Sequence, residues 1–315
     1  MASVPESVSF GGRLPSFIGR RLTLRAGQEL SARIVCFLCA LACVLSTIGI
    51  VFILAKEAFT FFQAHSPVAF LTGTKWFPAA DPPEYGVLPL ICGTFLVTVV
   101  SGLVSIPLGL LVGVYLSEYA HFKVRKVLKP ALELLAGIPS VVFGYLGLNL
   151  VTPLLQVFFP KIDATNALAG GIVVGIMTLP MVASLCQDAI AAVPKAMREA
   201  AYGLGSTKAE VTAKIVVPSA LSGIVAAFIL ALSRAIGETM AVTIAAGATP
   251  KLTFNPAEEI QTMTAYIVNV SKGDVSRGSP EYQTIFAVGL TLFLLTLAMN
   301  LLAQRFVRRF RRGYA

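Results

Sequence analysis

Charged side chains are scarce in this sequence. Only 13% of its 315 residues are Asp, Glu, Lys or Arg, whereas soluble domains carry about 25%. Apolar residues make up 56% of the chain. This composition excludes a water-soluble globule, a disordered chain and a coiled coil, and it predicts an integral membrane protein.

The residue types that build common catalytic sites are also few. The two histidines, His65 and His121, both fall outside the apolar segments, although an intramembrane serine or zinc protease needs histidine at membrane depth. No Gly-Lys dipeptide occurs, so the chain lacks the phosphate-binding loop of many ATPases. All five cysteines lie in apolar segments, which predicts no disulfide framework. We therefore expect no catalytic residue, metal site or cofactor in this chain.

The net charge of +9 would suggest a nucleic-acid partner in a soluble protein. In a membrane protein, basic residues beside the spans hold the orientation and contact anionic lipid. We therefore expect contact with membrane lipid and no nucleic-acid partner.

Six apolar segments are long enough to cross a bilayer, which requires about 20 helical residues. They cover residues 34–55, 87–115, 131–159, 168–193, 219–248 and 284–303. The first segment begins too far along the chain and is too long for a signal peptide, so it is interpreted as a retained span. The prediction is an all-α membrane protein with an N-terminal tail (1–33), a six-span domain (34–303) and a basic tail (304–315).

The basic residues between the segments predict the orientation. The two tails and the loops 116–130 and 194–214 carry eighteen Lys and Arg residues, whereas the opposite side carries six. Because cytoplasmic loops are enriched in basic residues, both termini are expected in the cytoplasm.

Two opposite charges lie inside the fifth segment. Arg234 and Glu238 are four residues apart, which predicts one helix face, and a charge at the bilayer centre costs about 2.5 kcal/mol or more. They form either a structural salt bridge or part of a polar pathway. We favour the pathway, in which the guanidinium of Arg234 attracts an anion and Glu238 neutralises Arg234 when the pathway is empty.

The third segment contains a helix-interrupting group, Gly137-Ile-Pro-Ser140. Pro139 removes a backbone donor, and broken helices near the midplane are typical of transporter sites. Ser140 is therefore a further candidate for the pathway, although packing of small residues alone would explain the glycines. Asp188, near the end of the fourth segment, is either an interfacial or a functional charge, and the sequence leaves both open.

The loop 194–214 has a pattern of its own. A helical stretch starts after Pro194, Gly203 and Gly205 break it, and a second helical run follows. This pattern predicts two short helices that protrude at the membrane face, and an interfacial amphipathic turn is the alternative.

This loop resembles the EAA motif of binding-protein-dependent ABC importer permeases. The matching positions are Glu199, Ala200, Ala201, Gly205, Ile215, Val217 and Pro218, and the family usually has Leu at the position of Val217. In that family the loop docks into a cleft of the ATPase subunit. The resemblance implies this coupling role for Glu199, Ala200, Ala201 and Gly205.

From about residue 76 onward the chain also resembles permeases of phosphate-specific transport. The similar segments begin at Tyr85, Pro107, Tyr115, Leu134 and Arg234. The runs Gly86-Val-Leu-Pro-Leu and Gly237-Glu-Thr-Met-Ala-Val are similar to the PstC type rather than to its PstA partner. The resemblance implies a MetI-like, type I importer core over about 87–303, with one extra N-terminal span.

The resemblance further implies a phosphate importer in the bacterial inner membrane. Its other parts would be a PstA-type permease, two ATPase subunits that bind ATP and Mg, and an extracytoplasmic phosphate-binding protein. Two alternatives stay open, namely a permease for another oxyanion such as sulfate or molybdate, and an ATP-independent channel or carrier. The loop 249–283, with an expected helix over 258–269, is either a docking element for an outer partner or a lid on its own helices.

Overall fold

The computed structural model describes residues 16–273, 275–276 and 278–311. These residues form fourteen α-helices and one short β-hairpin. The helices are α1 (Ser16–Ala64), α2 (Pro67–Thr72), α3 (Leu88–Val114), α4 (Phe122–Ala136), α5 (Ser140–Leu146), α6 (Thr152–Phe158), α7 (Ala167–Ala191), α8 (Lys195–Gly203), α9 (Lys208–Val211), α10 (Val217–Ser219), α11 (Leu221–Ile236), α12 (Met240–Ala245), α13 (Met263–Lys272) and α14 (Pro280–Arg311). In the antiparallel hairpin, Trp76 of β1 (Trp76–Phe77) pairs with Tyr85 of β2 (Glu84–Tyr85).

Three five-residue π-helical turns connect or extend these helices. The turn Tyr115–Tyr119 extends α3, Gly147–Val151 joins α5 to α6, and Thr212–Val216 joins α9 to α10. Single π-helical turns of this kind are frequent at functional sites.

The prediction of an all-α protein with six spans is confirmed. Five helical segments of the described chain are long and apolar enough to cross a membrane, and two helices that meet at a bend of 68° make a sixth when the pair is counted as one span. The five are Ser31–Ala64, Leu88–Tyr119, Ser140–Phe158, Ala167–Ala191 and Pro280–Arg305, and the bent pair is Lys208–Ser219 with Leu221–Ile236.

The third span differs from its predicted extent of 131–159. Helix α4 ends at Ala136, and a new helix begins at Ser140, after Pro139. The interruption arises because Pro139 lacks the N–H that would continue the ladder and because a residue before proline avoids helical geometry. The apolar residues near 131–136 belong to α4, an amphipathic helix without a fully buried side chain.

The fifth span, predicted as one helix over 219–248, is also broken. Helix α11 ends at Ile236, three residues interrupt the helix, and α12 runs from Met240 to Ala245. The break matters for the predicted site because Arg234 lies before it and Glu238 lies within it.

The chain forms two compact units, and the boundary between them lies between Ile53 and Leu54. In the first unit the described residues form α1 as far as Ile53. The second unit contains α2–α14, the hairpin and three buried apolar clusters. One cluster is aromatic and joins the hairpin to α13, where Trp76 and Tyr266 make an edge-to-face contact with ring centroids 4.9 Å apart.

Helices α3 and α7 form the main packing interface of the second unit, and glycines on each helix receive side chains from the other. A Cβ atom added at Gly171 would lie 2.4 Å from Cβ of Val100, and one at Gly175 would lie 2.7 Å from Cβ of Val104. The relation is reciprocal, since Gly109 receives Val182 and Gly113 receives Cys186. Small residues at i and i+4 let two membrane helices approach in this way.

Candidate functional site

The loop 194–214, from here on the α8 loop, folds as the glycine pattern predicts. Helix α8 covers Lys195–Gly203, and α9 starts after Thr207, whose side chain caps it in a reciprocal arrangement with Glu210. Gly205 has φ of +84°, a backbone conformation that costs residues with a Cβ about 1–2 kcal/mol. Gly205 therefore allows the turn between α8 and α9.

The predicted coupling residues occupy different environments. Glu199 and Ala200 are exposed, whereas Ala201 is buried. Three large apolar side chains of the α8 loop are exposed, namely Leu204 at 88%, Tyr202 at 43% and Met197 at 42%. Clustered apolar exposure of this kind is typical of an interaction surface.

Arg198 fixes α8 to the rest of the protein. Its Nη1 donates to the carbonyl oxygen of Val193 at 2.5 Å, and its Nη2 donates to the carbonyl oxygen of Ile190 at 2.8 Å. The Ile190 carbonyl lies in the last turn of α7 and the Val193 carbonyl lies two residues beyond its end, where a cation also interacts favourably with the helix dipole.

The same guanidinium reaches the end of α3. Nη2 of Arg198 lies 3.0 Å from Oε1 of Glu118, and both side chains are largely buried. Glu118 belongs to the π-helical turn Tyr115–Tyr119. Two further contacts hold this region, since Arg125 donates to the carbonyl oxygen of Ser117 and the Lys208 ammonium lies over the Tyr119 ring.

The expectation that Arg234 and Glu238 share one helix face is wrong. Helix α11 ends at Ile236, so the i, i+4 relation does not hold across Gly237. Among the described residues, no ion pair joins the two side chains. Glu238 instead faces α12, where its Oε1 accepts from the backbone N–H of Ala241 at 3.4 Å.

Arg234 lines a cavity of about 210 Å³ at the surface of α7. The other wall of this cavity is α4, which contributes Glu133. Between them, α7 contributes Met177, Pro180 and Ser184. Arg234 is exposed, so its guanidinium donors are available to a polar ligand.

Ser140 does not line that cavity. It directly follows the first helix break (137–139) and lies near the second helix break (237–239). A Cβ atom at Gly144 would lie 3.0 Å from Cα of Ala241, and one at Gly147 would lie 2.8 Å from Cβ of Ala245. These contacts follow the same order along α5 with its π-helical extension and along α12, so the two segments run parallel and α5 begins opposite the second break. The structure therefore brings Ser140 and Glu238 to adjacent breaks, with Arg234 one turn before the second break.

The loop 249–283 packs inward. The helix starts at Met263 rather than near 258, and Ile260, Met263 and Thr264 are buried. Thr264 donates to the backbone carbonyl of Glu238 at 2.7 Å, so this loop also contacts the second break. Of the two interpretations of the loop, these contacts favour a lid on its own helices.

Two charged residues of the site were not predicted, Glu118 and Glu133. Glu118 lies in a polar run after an apolar helix, and Glu133 lies in an amphipathic segment, so composition gave no signal for either. No group of three or more His, Cys, Asp or Glu side chains within the described ranges is arranged to hold a metal ion.

The sequence matches a family described as the binding-protein-dependent transport system inner membrane component, over residues 105–312. One similar protein is the probable ABC transporter permease protein YqgH of Bacillus subtilis, which is 36% identical over 88% of this chain and 90% of its own length. Another is the phosphate transport system permease protein PstC of Mesorhizobium japonicum, 33% identical over 76% of this chain and 78% of its own length.

Solved structures share the fold at low sequence identity. The bacterial alginate ABC transporter in complex with its periplasmic protein aligns with a TM-score of 0.62 and 15% identity, over 90% of this chain and 96% of the other. The inward-facing MetNI methionine ABC transporter aligns with a TM-score of 0.53 and 17% identity, over 71% of this chain and 94% of the other. These likenesses show a MetI-like permease fold.

Proposed function

Because the chain belongs to the family of binding-protein-dependent transport system inner membrane components, we propose that it is the transmembrane permease subunit of an ATP-driven importer of inorganic phosphate. The observation that carries the permease role is the α8 loop, an apolar tip on a helix fixed to two membrane spans. The similarity to proteins named phosphate permeases supports the substrate.

The proposed orientation puts both termini and the α8 loop in the cytoplasm of a bacterium. The eighteen basic residues on that side support it. In this orientation, an ATPase subunit would contact Leu204, Tyr202 and Met197, and ATP and Mg would be bound by that subunit. We further propose a PstA-type permease, a second ATPase subunit and an extracytoplasmic phosphate-binding protein as partners.

A movement of α8 would be transmitted to the membrane-spanning helices through Arg198. Its planar guanidinium makes three charge-assisted contacts, to Ile190, Val193 and Glu118, a geometry that a lysine does not reproduce. A displacement of the ATPase-bound tip is therefore passed to α7 and α3 together. Glu199, Ala200, Ala201 and Gly205 would shape the contact with the ATPase and the turn behind it.

Arg234 is the proposed anion-attracting residue of the pathway. It is exposed to a cavity within the spans, where a positive charge gains stability from an oxyanion ligand. Ser140 and Glu238 are proposed to line the pathway at the two adjacent breaks. Because broken helices expose backbone groups near the midplane, such breaks are suited to line a substrate route.

Uptake of labelled phosphate into proteoliposomes tests the function. The chain is reconstituted with its co-expressed partner subunits and binding protein, with and without internal ATP and with excess sulfate. We expect uptake that requires ATP and is unaffected by sulfate. Inhibition by sulfate would indicate that the substrate is another oxyanion. Uptake without ATP would indicate a channel or carrier instead of an ATP-driven importer.

A further inference from the structure

Arg234 shares its cavity with a carboxylate that the sequence did not pair with it. Glu133 of α4 and Arg234 of α11 line the same volume of about 210 Å³, with α7 between the two helices. The two side chains come from residues 101 positions apart, and both are exposed to solvent. No ion pair joins them among the described residues, so the cavity separates two opposite, uncompensated charges.

A second observation concerns the helix that carries Glu133. None of the side chains of α4 (Phe122–Ala136) is fully buried, and the helix ends at the Gly137–Pro139 break. A helix with few buried contacts, next to a break, moves at low cost. Helix α4 can therefore change the distance between Glu133 and Arg234 at the cost of the partly buried contact that Leu135 makes with the core cluster around α7.

Glu238, the alternative partner of Arg234, is already engaged. Its Oε1 accepts from Ala241 and its carbonyl oxygen accepts from Thr264. It also lies beyond the end of α11, in the break. The carboxylate that faces Arg234 across an open volume is that of Glu133.

We propose that Glu133 is the counter-charge of Arg234 in the anion pathway. When the pathway is empty, α4 approaches and the two side chains pair, which closes the cavity and neutralises both charges. An arriving oxyanion takes the guanidinium donors, and Glu133 withdraws because like charges repel. This inference rests on the proposed anion transport but assigns a residue that the pathway hypothesis did not include.

A double-mutant cycle tests the pairing. Complexes with Glu133→Gln, Arg234→Gln and both substitutions are purified with their partners, and the rate of ATP-dependent phosphate uptake is measured for each. Arg234→Gln leaves the Glu133 carboxylate unpaired in the cavity, where it repels the anion. We therefore expect the double variant to transport about tenfold faster than Arg234→Gln alone. A residue with only a structural role would not produce such a rescue.

Matched controls separate the possible outcomes. Glu84→Gln, at an exposed carboxylate of the hairpin, combined with Arg234→Gln should give no rescue. If the effects of Glu133→Gln and Arg234→Gln simply multiply, the proposed pairing is wrong although phosphate transport stands. If the unmodified complex takes up no phosphate, the proposed function fails first. Should Glu133→Gln prevent assembly, the same cycle is measured with serine at both positions.

Discussion

Nη2 of Arg198 lies 3.0 Å from Oε1 of Glu118, and the same guanidinium donates to two carbonyl oxygens at the end of α7. Only 16% of the Arg198 side chain and 8% of the Glu118 side chain are exposed. Removal of one partner of a buried pair leaves the other charge without compensation. This contact therefore ties the α8 loop to both α3 and α7.

Arg198→Ala should destabilise the protein by about 3 kcal/mol, since it leaves Glu118 and two carbonyls unpaired. Thermal unfolding of the purified complex measures the effect. Lys195→Ala, at an exposed position of the same helix, is the matched control and should stay within about 0.5 kcal/mol of the unmodified protein. Equal unfolding temperatures for the two variants would refute the buried-pair argument.

Gly205→Leu should uncouple ATP hydrolysis from transport or release the ATPase. The backbone at Gly205 has φ of +84°, which costs leucine about 1–2 kcal/mol, so the turn behind α8 is displaced. Gly203→Leu is the control, because Gly203 also has no described atom within 4 Å of an added Cβ but lacks a positive φ. Substrate-stimulated ATPase activity of the complex distinguishes the variants, and normal coupling in Gly205→Leu would contradict the prediction.

Arg234→Gln should reduce phosphate transport to a small residual rate while the complex still assembles, because the exposed guanidinium makes no ion pair within the described chain. Arg234→Lys keeps the charge but loses the fork of donors, so it should retain part of the activity. Uptake is measured beside co-purification of the partners. Normal uptake by Arg234→Gln would remove this residue from the pathway.

Gly171→Ala should destabilise the α3–α7 interface by about 1–3 kcal/mol, as expected for overpacking. The added methyl group would lie 2.4 Å from Cβ of Val100. Val100→Gly removes both the Cβ and the Cγ1 that would lie within 2.5 Å of the added methyl group, so the double variant should recover part of the loss. Thermal unfolding of the single and double variants measures both effects, and a Gly171→Ala variant as stable as Gly203→Ala would contradict the packing described for this interface.

The loop between α12 and α13 should loosen in acid. The side-chain hydrogen bond from Lys251 lowers the pKa of Glu258 below its ordinary value, and the same bond raises the pKa of Lys251. A depressed carboxyl pKa stabilises the fold above the unfolded pKa, and this contribution is lost as the pH falls through the folded pKa. Hydrogen exchange of amides 248–262, corrected for intrinsic rates, should therefore accelerate as the pH falls through the lowered pKa of Glu258. Lys251→Met should weaken this dependence, whereas an unchanged dependence would exclude the ion pair as its cause.

The sequence was sufficient to identify the membrane spans, because a long apolar run is visible in the local composition alone. It also predicted the α8 loop, where glycine and proline act locally. It did not predict the helix break between Arg234 and Glu238, because a glycine within an apolar run does not reveal whether the helix continues. The contact between Glu118 and Arg198 was equally inaccessible, because it depends on which ends of α3 and α7 meet in space. The register of α5 against α12 could not be predicted for the same reason, since it also depends on tertiary packing.

The reciprocal glycines of α3 and α7 have a mechanical consequence. A slide by about half a helical turn, ~2.7 Å, would move Val100 and Val104 out of the notches at Gly171 and Gly175. We therefore expect α3 and α7 to move together as one rigid body. If the proposed pathway alternates between two openings, we expect the movement at the helix breaks 137–139 and 237–239 rather than between α3 and α7.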